Sequence, residues 1–334
     1  MREVLVTGAA GFVGHHLVAA LCARGCRVRV LALPEEDVSS LGPEVAVHRG
    51  DVRRRESLDA PMRGADTVFH LAAVHGLWRP REEYRAVNVG GVENVCAAAA
   101  AAGVGRLVHV SSWTVYGMGL SGAVREDQPL APRPDDYAVT KAEADLLVQR
   151  RAREGLPAVV VRPGTMFGPG DRVNFGRMAD RLRDGKAVLI GRGDNALPFV
   201  DVTDVVEGMI LAATRDGAAG EAYNLSTDAP ITQEQLWRAI AEELGVPPPR
   251  LRVPFRALHA AAFVAEQVAR IRPGTQPLVT RLGVELFGWE NRHAIDKARR
   301  ELGYAPRVAV REGVRRAAAW YLGAGGRPAA RGAA

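Results

Sequence analysis

Val4-Leu5-Val6-Thr7-Gly8-Ala9-Ala10-Gly11-Phe12-Val13-Gly14 is the stretch on which the fold turns. Val4 to Thr7 is apolar or β-branched and reads as a short buried strand. Phe12 to Ala23 repeats its apolar positions at three and four, as a helix does. Between them Gly8, Gly11 and Gly14 stand at G-x-x-G-x-x-G spacing. Glycines there let the backbone turn tightly and approach a pyrophosphate, whose charge then meets free N–H groups at the start of the helix. Three glycines alone are a weak signal. The strand before them and the helix after them predict a dinucleotide site.

Outward from that loop the alternation continues. Residues 27–33, 45–48, 67–71, 106–111 and 158–162 read as strands, and 82–102 and 137–154 as helices. Such a rhythm predicts an α/β protein, a Rossmann-type doubly wound parallel sheet with helices on both faces. Beyond Pro163 the rhythm weakens, punctuated by Gly168-Pro169-Gly170 and Pro247-Pro248-Pro249. The expected division is a cofactor domain over 1–165, to which the chain returns around 198–225. A smaller, irregular substrate lobe covers 166–197 and 226–322, and 323–334 is a flexible tail.

Composition narrows the function classes. With 334 residues, 47% hydrophobic and 25% charged, the chain can bury a large core and is not disordered. No run of eighteen apolar residues occurs, so stable membrane insertion is not expected. Phe255 to Ile271, interrupted by Glu266, Gln267 and Arg270, is expected to pack against protein as a lobe helix. The first residues, Met1-Arg2-Glu3, lack the form of a signal peptide. Cys22, Cys26 and Cys96 make no metal-like pair and suggest reduced thiols in a cytoplasm. The net charge of +6 is scattered in short clusters without aromatic platforms, which argues against nucleic acid. His48, His70 and His109 lie on or beside apolar strands and read as packed residues; no zinc spacing occurs, and no metal is expected. Of 44 basic residues only Lys141, Lys186 and Lys297 are lysine, a bias that, with abundant Ala, Gly and Pro, suggests a GC-rich bacterial source.

That bias sharpens a second motif. Tyr137 and Lys141 stand one helical turn apart on one face, and about 0.05 such Y-x-x-x-K matches are expected by chance in this composition. A phenol titrates near 10, so acid/base work at neutral pH needs nearby positive charge; Lys141 and an oxidised nicotinamide ring would supply it. Ser111 and Ser112, where a parallel strand meets its loop, are aimed at the crevice in which doubly wound sheets bind ligands. Ser112 is the candidate for holding a substrate oxygen against the phenol. Asp51, in Gly50-Asp51-Val52, is placed for an adenine amino group. The second strand ends in Ala32-Leu33-Pro34, without the acid that marks NAD or the Arg that suits NADP; Glu35, Glu36 and Asp37 follow, and NAD is favoured.

Together these motifs resemble the extended short-chain dehydrogenase/reductase superfamily, the NAD-dependent epimerase/dehydratase group, over nearly the whole chain to about Leu322. The resemblance implies cofactor contacts from Gly8, Gly11, Phe12, Val13 and Gly14, from Asp51 and Val52, from Leu71-Ala72-Ala73, and from Asn88, Tyr137, Lys141 and Pro163. It implies Ser112, Tyr137 and Lys141 as the catalytic triad: Tyr137 transfers the proton, Ser112 orients the reacting oxygen, and Lys141 lowers the phenol's pKa.

Departures narrow the choice. Trp113-Thr114 stand where the group's sugar dehydratases carry an acid pair, and Asn195-Ala196-Leu197-Pro198 replaces the Arg with which nucleotide-sugar epimerases hold a diphosphate. Trp78-Arg79-Pro80, Phe255 to Ile271 and Asp296 to Tyr304 are similar to the 3β-hydroxysteroid dehydrogenase branch. The expectation is an NAD(P)-dependent oxidoreductase acting on a secondary alcohol or ketone of a bulky, mostly apolar, sterol- or polyketide-like substrate. His75, Trp113 and Met166 are candidates to line its pocket. A nucleotide-sugar epimerase retaining NAD is the alternative, and a non-catalytic NAD(P)-binding sensor or scaffold the second. The partner is a small molecule; substrate identity, direction and a possible homodimer stay open.

Overall fold

The computed structural model describes residues 1–75, 78–272 and 276–323. Its centre is a seven-stranded parallel sheet: β1 (Glu3–Thr7), β2 (Arg27–Ala32), β3 (Ala46–Arg49), β4 (Thr67–His70), β5 (Arg106–Val110), β6 (Ala158–Pro163) and β7 (Ala222–Leu225). The strand order is β7-β6-β5-β4-β1-β2-β3, with Thr7 paired to Leu31 on one side and to His70 on the other. Order reverses between β1 and β4, which opens a crevice at their carboxyl ends.

The strands are apolar on both faces because both faces are covered. Val4, Val6, Phe69, Val108 and Val161 pack with α1 (Phe12–Ala23) and a helix over Val202–Thr214. Leu5, Val68, Leu107 and Val160 pack on the other side with Val92–Ala101 and α2 (Asp136–Arg153). Each such fully buried side chain contributes about 1.5–3 kcal/mol. The single helix expected over 82–102 is helical throughout but changes character: Arg81–Arg85 is α, Ala86–Gly91 is a π turn, and Val92–Ala101 is α again. Gly91 lies in that turn, where a Cβ would stand 2.8 Å from Val52 Cγ2.

Beyond β6 the chain builds two-stranded pairs, such as Thr165–Phe167 with Phe199–Asp201, and short helices around Phe167, Phe175, Leu197, Phe199 and Trp237. The helix Phe255–Ile271 packs against the lobe as expected, with Ala262 buried beside Ile190 and Val284 and Glu266 turned inward onto Arg281 at 2.7 Å, while Phe263 and Val264 are left exposed. Among the described residues no helix is long and apolar enough to cross a membrane. The expected tail falls, from residue 324 on, outside the described residues.

Candidate active site

The glycine loop is held to its shape by sterics. Gly8 has φ +72°, and a Cβ there would stand 2.7 Å from Ala72 N; at Gly14 it would stand 2.2 Å from Gly8 O. Gly11 precedes α1 and brings no side-chain cap, so the amide edge of the first turn, at Phe12, Val13 and Gly14, is left for an anion. Thr7 Oγ1 bonds His70 Nδ1 at 2.7 Å and ties β1 to β4 beneath Leu71, Ala72 and Ala73, which are half-buried along the same crevice. A cradle that any Cβ would fill, beside a helix start without a cap, fits the pyrophosphate of a dinucleotide.

At the other end of the loop the turn after β2 folds back. Glu36 Oε2 accepts from Leu33 N–H at 3.0 Å, and Arg49 donates to the Leu33 and Glu36 carbonyls at 2.8 and 2.7 Å. A carboxylate thus reaches the carboxyl end of β2 from three residues downstream. Asp51 is placed after β3, but both its oxygens are engaged by Arg53, through the backbone at 2.9 Å and the guanidinium at 2.8 Å. Val52 beside it is buried.

Tyr137 and Lys141 lie in the first turns of α2, whose N-cap Asp135 accepts from Ala138 N–H at 3.1 Å. Lys141 is buried, and its Nζ donates to the Val110 carbonyl at the end of β5 at 2.5 Å. Burial pulls this amine down to about 8, with Asp145 opposing. Burial also pushes the Tyr137 phenol up to about 12; the Ser112 hydroxyl favours the ionised form, and Asp135 disfavours it. Burial is thus the largest influence on the phenol, ahead of Ser112 and Asp135. The amine is directed at a strand carbonyl, and desolvation outweighs the help from Ser112.

Ser112 caps the turn Trp113–Tyr116: its Oγ accepts from Thr114 N–H at 3.2 Å and lies 2.9 Å from Thr114 Oγ1. Ser111 Oγ is buried without a partner among the described residues. Asn88, in the π turn, spends its amide on protein. It accepts from Val74 N–H at 2.8 Å and donates to the Val74 carbonyl and to Thr140 Oγ1 at 3.3 and 3.1 Å, linking the segment after β4 to α2. Pro163 closes β6, buried.

The pocket candidates divide. His75 is exposed and meets the Tyr137 ring edge-on at 5.1 Å, at the mouth of the crevice. Trp113 is buried edge-on against His293 at 5.2 Å. Met166 sits in a strand opposite Val200, half-buried against the main core. His293 gave no signal in the sequence; it arrives on a strand, Arg292–His293, that pairs with Ala123–Val124.

Arg162, next to Pro163 in β6, serves the frame. Its guanidinium makes two 2.9 Å bonds to buried Asp145 and donates to Tyr116 Oη at 2.6 Å, which in turn donates to Asn224. His70 and His109 are buried, held neutral first by desolvation and then by Lys141. Among the described residues no group of His, Cys, Asp or Glu is arranged to hold a metal. Asn195, where a diphosphate-binding Arg was sought, turns into the lobe and donates to the Phe287 and Trp289 carbonyls, both at 2.8 Å.

Comparison with known proteins gives the family. A ketoreductase of Stigmatella aurantiaca, named for 4-hydroxy-2-methyl-3-oxo-4-farnesyl-3,4-dihydroquinoline-1-oxide, is 37% identical over 318 residues, covering 93% of this chain and 94% of that protein. A 3 beta-hydroxysteroid dehydrogenase/Delta 5→4-isomerase of Mycobacterium tuberculosis is 34% identical over 339 residues, covering 96% and 91%. The solved structure of MoeE5 in complex with UDP-glucose and NAD superposes with a TM-score of 0.77 at 28% identity, covering 96% of this chain and 99% of that one. Residues 4–226 match the NAD dependent epimerase/dehydratase family. The chain belongs to that family, as an oxidoreductase related to the 3β-hydroxysteroid dehydrogenases and ketoreductases within it.

Proposed function

We propose that this protein interconverts a ketone and its secondary alcohol on a bulky, mostly apolar substrate. What supports the reading is Tyr137 beside the Ser112 hydroxyl and Lys141 held to the Val110 carbonyl at the end of β5, in the same parallel sheet whose β1 runs into the glycine loop. The nicotinamide cofactor, when bound, would supply or accept the hydride, and in its oxidised form would bring positive charge near the phenol. Gly8, Gly11, Phe12, Val13 and Gly14 hold the pyrophosphate. Leu71, Ala72, Ala73 and Pro163 flank the crevice, and Asp51 and Val52 meet the adenine. Glu36, folded back onto β2, favours NAD over its 2′-phosphorylated form, because a second anion there is repelled.

In the reductive direction Tyr137 Oη gives its proton to the carbonyl oxygen while Ser112 donates a hydrogen bond to the same oxygen, and in oxidation both act in reverse. Lys141 helps hold the cofactor's ribose and restores the balance that burial tips against the phenolate. Asn88 acts indirectly, by fixing the Val74 segment against α2. In this reading residues 1–165 and 198–225 hold the cofactor, and 166–197 and 226–322 shape the substrate site. The setting is cytoplasmic, without nucleic acid, as a monomer or homodimer.

Two relatives support the substrate class. One is named for a ketone on a farnesylated quinoline, the other for a hydroxysteroid. Asn195 turned into the lobe supports it from the other side, since a sugar diphosphate loses its anchor there. The test offers the purified protein NADH or NAD with sterols, 3-oxo acids carrying long alkyl chains, and UDP-sugars. Net change in nicotinamide absorbance with an apolar ketone or alcohol is the expected result. Conversion of a UDP-sugar at constant absorbance would put the epimerase reading in its place, and tight NAD binding without turnover of any class would favour a sensor.

A further inference from the structure

A serine hydroxyl has one hydrogen to give and two lone pairs with which to accept. Around Ser112 those capacities are unevenly taken. Thr114 N–H, at 3.2 Å, fills one lone pair. Thr114 Oγ1, at 2.9 Å, is a second polar neighbour. Thr114 is buried, so its hydroxyl has no ready exchange with water, and among the described residues Ser112 is its hydrogen-bond partner. If the threonine gives its hydrogen, both lone pairs of Ser112 are filled and the serine keeps only its own hydrogen to use. If it accepts instead, Ser112 has no hydrogen left for the oxygen it faces and keeps one lone pair, with which it can only accept.

We propose that Thr114 is a positioning residue that fixes Ser112 as a hydrogen-bond donor, so that the serine can only give its hydrogen, to the Tyr137 phenolate or to the reacting oxygen in turn. This rests on the acid/base reading of Ser112 and Tyr137 given above. Thr114 acts in this role through Ser112. It sets the polarity of that group. Without its hydroxyl, Ser112 is free to accept from the Tyr137 O–H, and that stabilises the protonated phenol.

The test needs no substrate. Tyr137 is titrated by its tyrosinate absorbance in the full-length protein saturated with NAD, taking the difference from the Tyr137→Phe variant. Thr114→Val, nearly isosteric without the hydroxyl, is expected to raise the phenol's pKa by about one pH unit, a tenfold loss of phenolate at a given pH. Thr114→Ser, which keeps the hydroxyl, is expected to restore the wild-type value. An unshifted phenol in the valine variant would overturn the proposal, and so would a serine variant that titrates like valine. A phenol that titrates alike with and without NAD, yet still shifts in the valine variant, would refute the acid/base reading while supporting the role of Thr114.

Discussion

Replacing Lys141 by methionine should stabilise the fold at neutral pH while removing activity. The amine is buried, and burial has moved it from an ordinary 10.5 to about 8. At about 1.4 kcal/mol per pH unit, that displacement means the charged form costs about 3 kcal/mol in the folded protein. Methionine removes this cost and fills much the same volume, but forfeits the 2.5 Å bond to the Val110 carbonyl, about 1–2 kcal/mol for a charged donor. A gain of roughly 1–2 kcal/mol at pH 7 is left. The sign with pH follows from the unfolded chain holding its proton more tightly than the folded one. Below pH 8 the whole cost is present; between 8 and 10.5 wild-type stability rises; above 10.5 the amine is neutral in both states and the cost is gone. The variant's advantage should therefore shrink through that window and reverse by about 1 kcal/mol at its top, where only the neutral amine's lost hydrogen bond remains. Urea unfolding of both proteins without NAD, at several pH values from 7 to 10.5, measures it. A variant less stable at pH 7, or a difference that does not change with pH, would refute the reasoning.

Three further outcomes follow from the same geometry. Gly14→Ala places a methyl 2.2 Å from the Gly8 carbonyl, so the loop must shift, and NAD affinity followed by fluorescence should fall by about a hundredfold, roughly 3 kcal/mol. Asp145→Leu leaves the Arg162 guanidinium buried without its carboxylate and should destabilise by about 3–5 kcal/mol in chemical denaturation, with much of the loss recovered in the Asp145→Leu, Arg162→Met pair. Tyr137→Phe should lower kcat by about a hundredfold or more while NAD binding, read by calorimetry, is unchanged.

What the sequence made legible was local. Gly8 and Gly14 could be placed because only a missing Cβ satisfies a positive φ or a 2.2 Å approach, and Tyr137 and Lys141 because one helical turn brings them to one face. The alternation of β1 to β6 with helices was readable because strands covered on both faces are apolar throughout. What escaped depends on residues distant in the chain. The partners of Arg162 lie 17 and 46 positions away, so nothing in Arg162-Pro163-Gly164 announced a buried ion pair with Asp145 and a bond to Tyr116. The same holds for His293, carried beside Trp113 by a two-residue strand. The phenol's upward shift was hidden for another reason: spacing supplied Lys141, but not the burial that dominates it. Glu36 was visible as an acid near β2, yet its return to Leu33 depends on how the turn closes.

The central claim is hydride transfer between nicotinamide C4 and a substrate carbon, with Tyr137 carrying the proton. Its most direct test is turnover of an apolar ketone with NADH deuterated at C4, followed by mass spectrometry and proton NMR of the alcohol. The account predicts one deuterium on the new carbinol carbon, with transfer lost in Tyr137→Phe. An alcohol formed without label, or a tyrosine variant that transfers it at the wild-type rate, would contradict it.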